Sequence, residues 1–119
     1  MSTFTVPATL LNPREPERGL TLDMIVDTGA TWTLLPSEAV SQLGLETPRE
    51  RTVVLASGER VTYLMGQVVM KLGEEELITI FLAGPSGCRP LLGAVTLEEF
   101  SLATDPVNKR LVPVIGILA

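Results

Sequence analysis

Residues Leu20 to Val26 alternate cleanly: Leu20, Leu22, Met24 and Val26 point one way, and Thr21, Asp23 and Ile25 the other. A period of two is the mark of a half-buried β-strand. The strand runs straight into Asp27-Thr28-Gly29-Ala30, so an apolar strand delivers a carboxylate into a tight turn. Gly29 lets the backbone approach closely and turn without a Cβ clash. Thr28 and Thr31 can hydrogen-bond locally and hold that turn. The triplet alone also describes an ordinary surface turn, where Asp and Gly are common.

Strand-like patterning covers most of the remaining chain. Phe4 to Leu11 is β-prone, with Pro7 marking an edge position. Asn12 to Gly19 holds two prolines and four charges and reads as an exposed hairpin loop. Thr31 to Leu35 is extended. Pro36-Ser37-Glu38 opens a short helix, with Ser37 as N-cap and Gly44 as its stop. Arg51 to Ala56 and Val61 to Tyr63 flank the turn Ser57-Gly58-Glu59. Gln67 to Leu72 and Leu77 to Leu82 flank the solvated turn Gly73-Glu74-Glu75-Glu76. Gly84 to Pro90 is a loop that leads to Leu91-Leu92-Gly93. Thr96 is placed to N-cap a second helix through Leu102. Glu98 and Glu99 would then lie in its first turn, where the dipole favours negative charge, and Asp105-Pro106 would end it. Leu111 to Ala119 is almost wholly apolar. The expected architecture is one all-β domain over residues 1–119 with one or two short helices.

Composition narrows the chemistry. A chain of 119 residues can build one core but not two. With 45% hydrophobic and 19% charged residues, it is not a disordered segment. It has 0 His and 1 Cys, so neither Ser-His-Asp nor Cys-His machinery can be assembled, nor a His/Cys zinc cage. Acid–base chemistry near neutral pH must use the 14 carboxylates. Nucleic-acid binding needs clustered cations, and the 9 basic residues here are scattered in a chain of net charge −5. No run approaches the ~20 apolar residues of a membrane helix. The single Cys88 forms no internal disulfide, which fits a reducing compartment, so a cytoplasmic location is expected.

Several segments follow the Asp-Thr-Gly in a characteristic order: Thr33-Leu34-Leu35-Pro36, Leu43-Gly44-Leu45, Leu55-Ala56-Ser57-Gly58, Gly84-Pro85, and Pro90-Leu91-Leu92-Gly93. Leu97-Glu98-Glu99-Phe100, Asp105-Pro106 and Leu111-Val112-Pro113 complete it. Over nearly its whole length the sequence resembles the retroviral-type aspartic proteases, particularly their short bacterial and archaeal relatives. The resemblance implies a closed or partly open β-barrel of the retropepsin (acid protease) type, functional as a C2 homodimer. Asp27 would be the catalytic residue, and Thr28, Gly29 and Ala30 would form the active-site turn. Thr31 and Trp32 would line the substrate cleft, although Trp32 packed in the core is the other reading. Ser57, Gly58 and Glu59 would form the tip of a flap, against the alternative of an ordinary surface hairpin. Leu92 and Gly93 would be structural neighbours of the cleft.

The mechanism so implied joins two Asp carboxylates across a water, needs neither His nor Cys, and calls for no metal or organic cofactor. Only one Asp-Thr-Gly is present, so the second carboxylate would come from a second copy. Leu111 to Ala119 would pair across that dimer, or else close the protomer's own sheet. The expected partners are a second copy of the chain and an extended peptide or protein substrate, with no nucleic acid and no membrane. Retroviral enzymes carry an acidic residue and an Arg where this chain has Thr31 and Ala94, so both members of that ion pair are absent together. A non-catalytic dimerisation or peptide-binding module on the same fold is the alternative. Phosphotransferases with an Asp nucleophile and actin-like nucleotide-binding hairpins share short motifs, but they need longer chains and more helices.

Overall fold

The computed structural model describes residues 3–118; Met1, Ser2 and Ala119, the last ending the apolar C-terminal stretch, lie outside the described residues. β1 (Thr5–Asn12) and β2 (Glu15–Val26) pair antiparallel. Their alternation sends Ala8, Leu10, Met24 and Val26 into the core and leaves Thr21 and Asp23 exposed. β3 (Thr33–Pro36) runs into helix α1 (Ser37–Leu43). β4 (Arg49–Val54) and β5 (Arg60–Leu72) form one hairpin, and β5 forms a second with β6 (Glu75–Gly84). Then follow β7 (Leu91–Leu92), α2 (Ala94–Glu99), β8 (Leu102–Asp105) and β9 (Arg110–Pro113).

Seven strands form one sheet in the order β1-β2-β7-β3-β6-β5-β4. β1 pairs a second time, with β5, and this turns the sheet into a ring. The expected all-β barrel with two short helices is therefore present. Leu10, Met24, Leu35, Met70, Phe81 and Leu92 fill the ring and have no solvent exposure. Cutting one of these large side chains back to Ala removes about 2–5 kcal/mol. Pro7 lies where β1 is flanked by β2 alone, since β5 joins only from Thr9 onward, which suits a residue without an N–H.

Several local expectations are corrected. Residues 12–19 are not one open loop, because β2 already begins at Glu15. The buried Asn12 side chain closes the turn by accepting the Arg14 and Glu15 N–H groups at 2.8 and 3.3 Å. Pairing then slips, so that Asn12 faces Glu15 while Leu11 faces Gly19, and residues 16–18 bulge. Pro16, which cannot donate to a ladder, falls within the bulge. Val61–Tyr63 and Gln67–Leu72 belong to one 13-residue strand. Gly66 sits in its middle because the Glu46 carbonyl occupies the space a Cβ would need.

Ser37 is not the N-cap of α1. Pro36 is, with no side-chain cap, because β3 passes directly into the helix; Gly44 does end it, at φ 64°. Thr96 is not the N-cap of α2 either. Gly93 holds that place, Glu98 and Glu99 fall in the last turn, and the helix stops at Glu99 rather than Leu102. Asp105 ends β8 and braces the β8–β9 turn through the Asn108 N–H and side chain, at 3.2 and 2.9 Å. The last apolar stretch does not close the main sheet: β9 pairs only with β8, in a sheet of two strands. Beyond it Ile115, Ile117 and Leu118 are at least 90% exposed.

Candidate active site

Asp27 leaves the end of β2 where β7 runs parallel to it, Ile25 beside Leu91 and Val26 beside Leu92. The Asp27 N–H donates to the Leu92 carbonyl at 3.1 Å. The Ala30 N–H donates back to the Asp27 carbonyl at 3.2 Å, closing the turn. The Gly29 N–H donates to Asp27 Oδ1 at 3.0 Å and so orients the carboxylate. The loop is then gripped from behind. The first N–H groups of a helix have no partner inside it. In α2 those of Ala94 and Val95 donate to the Ala30 and Thr31 carbonyls, at 2.8 and 3.0 Å. This is why α2 needs no side-chain cap. Gly93 lies so close to the Trp32 carbonyl that no Cβ fits between them.

A cleft of about 710 Å³ opens beside the loop. Asp27, Gly29, Ala30, Thr31, Trp32 and Leu34 form one wall, residues 52–56 with Tyr63 another, and Leu82 and Leu91 line it too. Asp27 is half-buried and, among the described residues, is the only carboxylate lining it. The fold thus brings together five of the residues singled out in the sequence: Asp27, Gly29, Ala30, Thr31 and Trp32. Trp32 is half-buried at the cleft rather than sealed in the core, and the Arg51 guanidinium lies over its ring, 5.4 Å from the centroid. Thr28 is exposed on the turn, and Leu92 and Gly93 are buried behind it. Ser57, Gly58 and Glu59 form the exposed tip of the β4–β5 hairpin and do not line the cleft; its stem does.

Sequence reading missed the support of this loop. Thr33, Thr79 and Thr96 are buried and joined hydroxyl to hydroxyl, Thr33 to Thr96 at 2.7 Å and Thr96 to Thr79 at 2.8 Å. The available signal was Thr79 on the inward face of an apolar strand, between Leu77 and Phe81. On the loop before β7, the Glu38 carboxylate accepts the Gly87 N–H at 2.9 Å and the Ser86 hydroxyl at 3.0 Å. The Gly87 bond leads in holding Glu38 below the usual carboxylate range, with the Ser86 bond adding to it. Burial pushes the nearby Cys88 thiol up, and the Glu38 charge adds to that, so the thiol stays protonated and is a poor nucleophile. Among the described residues no three His, Cys, Asp or Glu side chains gather as a metal would require.

A family model described as aspartyl protease matches residues 17–90, which include Asp27 and the whole β4–β5 hairpin. Among solved structures the chain is similar to the EIAV protease complexed with the inhibitor HBY-793, at a TM-score of 0.63 and 18% identity. That alignment covers 83% of this chain and 88% of the other. At such an identity the likeness is one of fold. No curated protein sequence matches the chain.

Proposed function

The chain belongs to the aspartyl protease family, and from that premise we propose that it is an endopeptidase whose catalytic unit is a homodimer, each protomer contributing Asp27. The observation that carries this reading is the setting of Asp27. It is half-buried and oriented by the Gly29 N–H, on a loop fixed by Leu92, Ala94 and Val95, at the wall of an open cleft. Two such carboxylates facing each other across a water share one proton, since like charges so close do not both ionise. The ionised member takes a proton from the water as it adds to the scissile carbonyl. The protonated member polarises the carbonyl oxygen and passes its proton to it. Collapse of the tetrahedral adduct returns a proton to the leaving amine.

One protomer supplies one Asp-Thr-Gly, which favours the dimer. So do the bare Ile115, Ile117 and Leu118, an apolar surface that a second copy would cover. The cleft suits an extended peptide: β4 ends the strand order, and its Thr52, Val53 and Val54 line the cavity. In this reading Thr28 and Gly29 hold the pair of carboxylates, Thr31 and Trp32 touch the substrate, and the tip at Ser57–Glu59 closes over it. A cytoplasmic setting belongs to the same proposal.

The test is cleavage of an unfolded protein at acidic to neutral pH. Asp27→Asn should abolish it while sedimentation still reports a dimer. Unchanged cleavage by that variant would remove the dyad. A dimer that binds peptides without cutting them would make the chain a peptide-binding module instead.

A further inference from the structure

We infer that Glu99 is a positioning residue for the active-site loop, acting through a one-way chain of threonine hydroxyls that ends on the Gly93 amide. Glu99 closes α2 on the exposed side, away from the cleft. Its Oε1 accepts the Thr79 hydroxyl at 2.6 Å, the short distance of a hydroxyl bound to a carboxylate. Thr79 meets Thr96 at 2.8 Å, Thr96 meets Thr33 at 2.7 Å, and Thr33 Oγ1 accepts the Gly93 N–H at 3.2 Å. The three threonines are 0–2% exposed, so no bulk water competes for their protons.

The two ends fix the direction. A hydroxyl has one proton to give. Thr79 gives its proton to the carboxylate and so can only accept from Thr96. Thr96, having donated, can only accept from Thr33. Thr33, having donated, accepts from the Gly93 N–H. Each bond polarises the next in the same sense. Among the described residues no buried side-chain nitrogen or oxygen lacks a partner, the three threonine hydroxyls included. A reversed chain would have no acceptor for the Thr33 proton and would set it against the Gly93 N–H. An acceptor at Glu99 therefore selects the arrangement that holds Gly93. Gly93 in turn precedes the Ala94 and Val95 amides that grip the loop carrying Asp27.

This inference rests on Asp27 being catalytic only for its kinetic consequence; the coupling itself can be read without turnover. Amide hydrogen exchange by NMR should show Gly93, Ala94 and Val95 exchanging roughly tenfold faster in Glu99→Ala, the ratio expected for one lost hydrogen bond. Ala8 and Leu10 on β1, which pairs with neither β3 nor β6, should be unchanged. Glu99→Gln, whose carboxamide oxygen still accepts, should restore protection. Thr79→Val, which breaks the chain from within, should match Glu99→Ala. On a peptide substrate Glu99→Ala should lower kcat several-fold and leave KM in place, with recovery in Glu99→Gln. Three results would each overturn the inference: unchanged exchange at Gly93 in Glu99→Ala, an acceleration shared equally by Ala8 and Leu10, or a Glu99→Gln variant no better than Glu99→Ala. A wild-type protein that cuts nothing would end the proposed function, and the exchange data would still decide this point.

Discussion

The two walls of the cleft are built in opposite ways. Beyond its own turn bonds, the Asp27 wall is held from far along the chain: Leu92 holds Asp27, Ala94 holds Ala30 and Val95 holds Thr31. The tip of the facing hairpin is held only by its own residues, Leu55 to Glu59 at 2.8 Å, Gly58 to Leu55 at 2.8 Å, and Glu59 to the Ser57 hydroxyl at 3.3 Å. Val54 is 64% exposed, and a Cβ on Gly58 would meet nothing. Local opening is cheapest where buried contacts are few. On the proposed function, the Asp27 wall would stay fixed while the hairpin moves to admit substrate.

The largest expected effect on this contrast is chemical. Asp27→Asn should lower kcat by about a thousandfold or more, read with a peptide substrate, while the melting curve barely moves. Next come two glycines. Gly93→Ala would drive a methyl into the Trp32 backbone and should cost roughly 3 kcal/mol, seen as a Tm lowered by on the order of 10 °C. Gly58→Ala, at φ 88° in open space, should cost about 1 kcal/mol and alter turnover more than stability. Equal thermal losses in the two variants would break the contrast between the walls.

Trp32→Ala should reduce kcat/KM by about tenfold with little change in Tm. Equal loss of both would return Trp32 to a packing role. Its partner Arg51 stands on β4, so the variant also removes a link of about 0.5–1 kcal/mol between the two walls. The smallest effect concerns Glu38 and the loop entering β7. Its folded pKa is depressed, so its contribution is present above the ordinary value of 4.5 and fades as pH falls through the lower folded value. Glu38→Gln should melt slightly below the wild type at neutral pH and level with it in acid. A gap that persists in acid would mean the carboxylate charge is not what holds the loop.

What the sequence made legible was local. The alternation of Leu20 to Val26 placed Asp27 at a strand end, and Ser57-Gly58-Glu59 announced a hairpin tip. The rest depends on strands that meet from distant parts of the chain. Thr33 reads as one extended residue, Thr79 as another, and Thr96 as a helix cap. Only the parallel pairing of β3 with β6, and α2 lying against both, brings their hydroxyls together. Gly93 was visible as part of Leu91-Leu92-Gly93, but its lack of a Cβ matters only because Trp32 crosses it. The charges and prolines of residues 13–19 read as a loop because a bulged, fully exposed ribbon has no apolar face to alternate. The cleft wall at residues 52–56 was read for its turn, not for its stem, since orientation toward Asp27 is set by the ring closure of β1 on β5.

The parallel pairing of β2 with β7 also sets an order of events as the chain folds. The hairpins β1–β2, β4–β5 and β5–β6 close over short turns and can form early. Joining Ile25 to Leu91 closes a long loop, whose entropy is lost before any contact repays it. On loop-closure cost alone, the Asp27 turn should be completed late, when β7 and α2 dock. On the proposed function, a partly folded chain would carry Asp27 without its geometry and would not cut its unfolded neighbours.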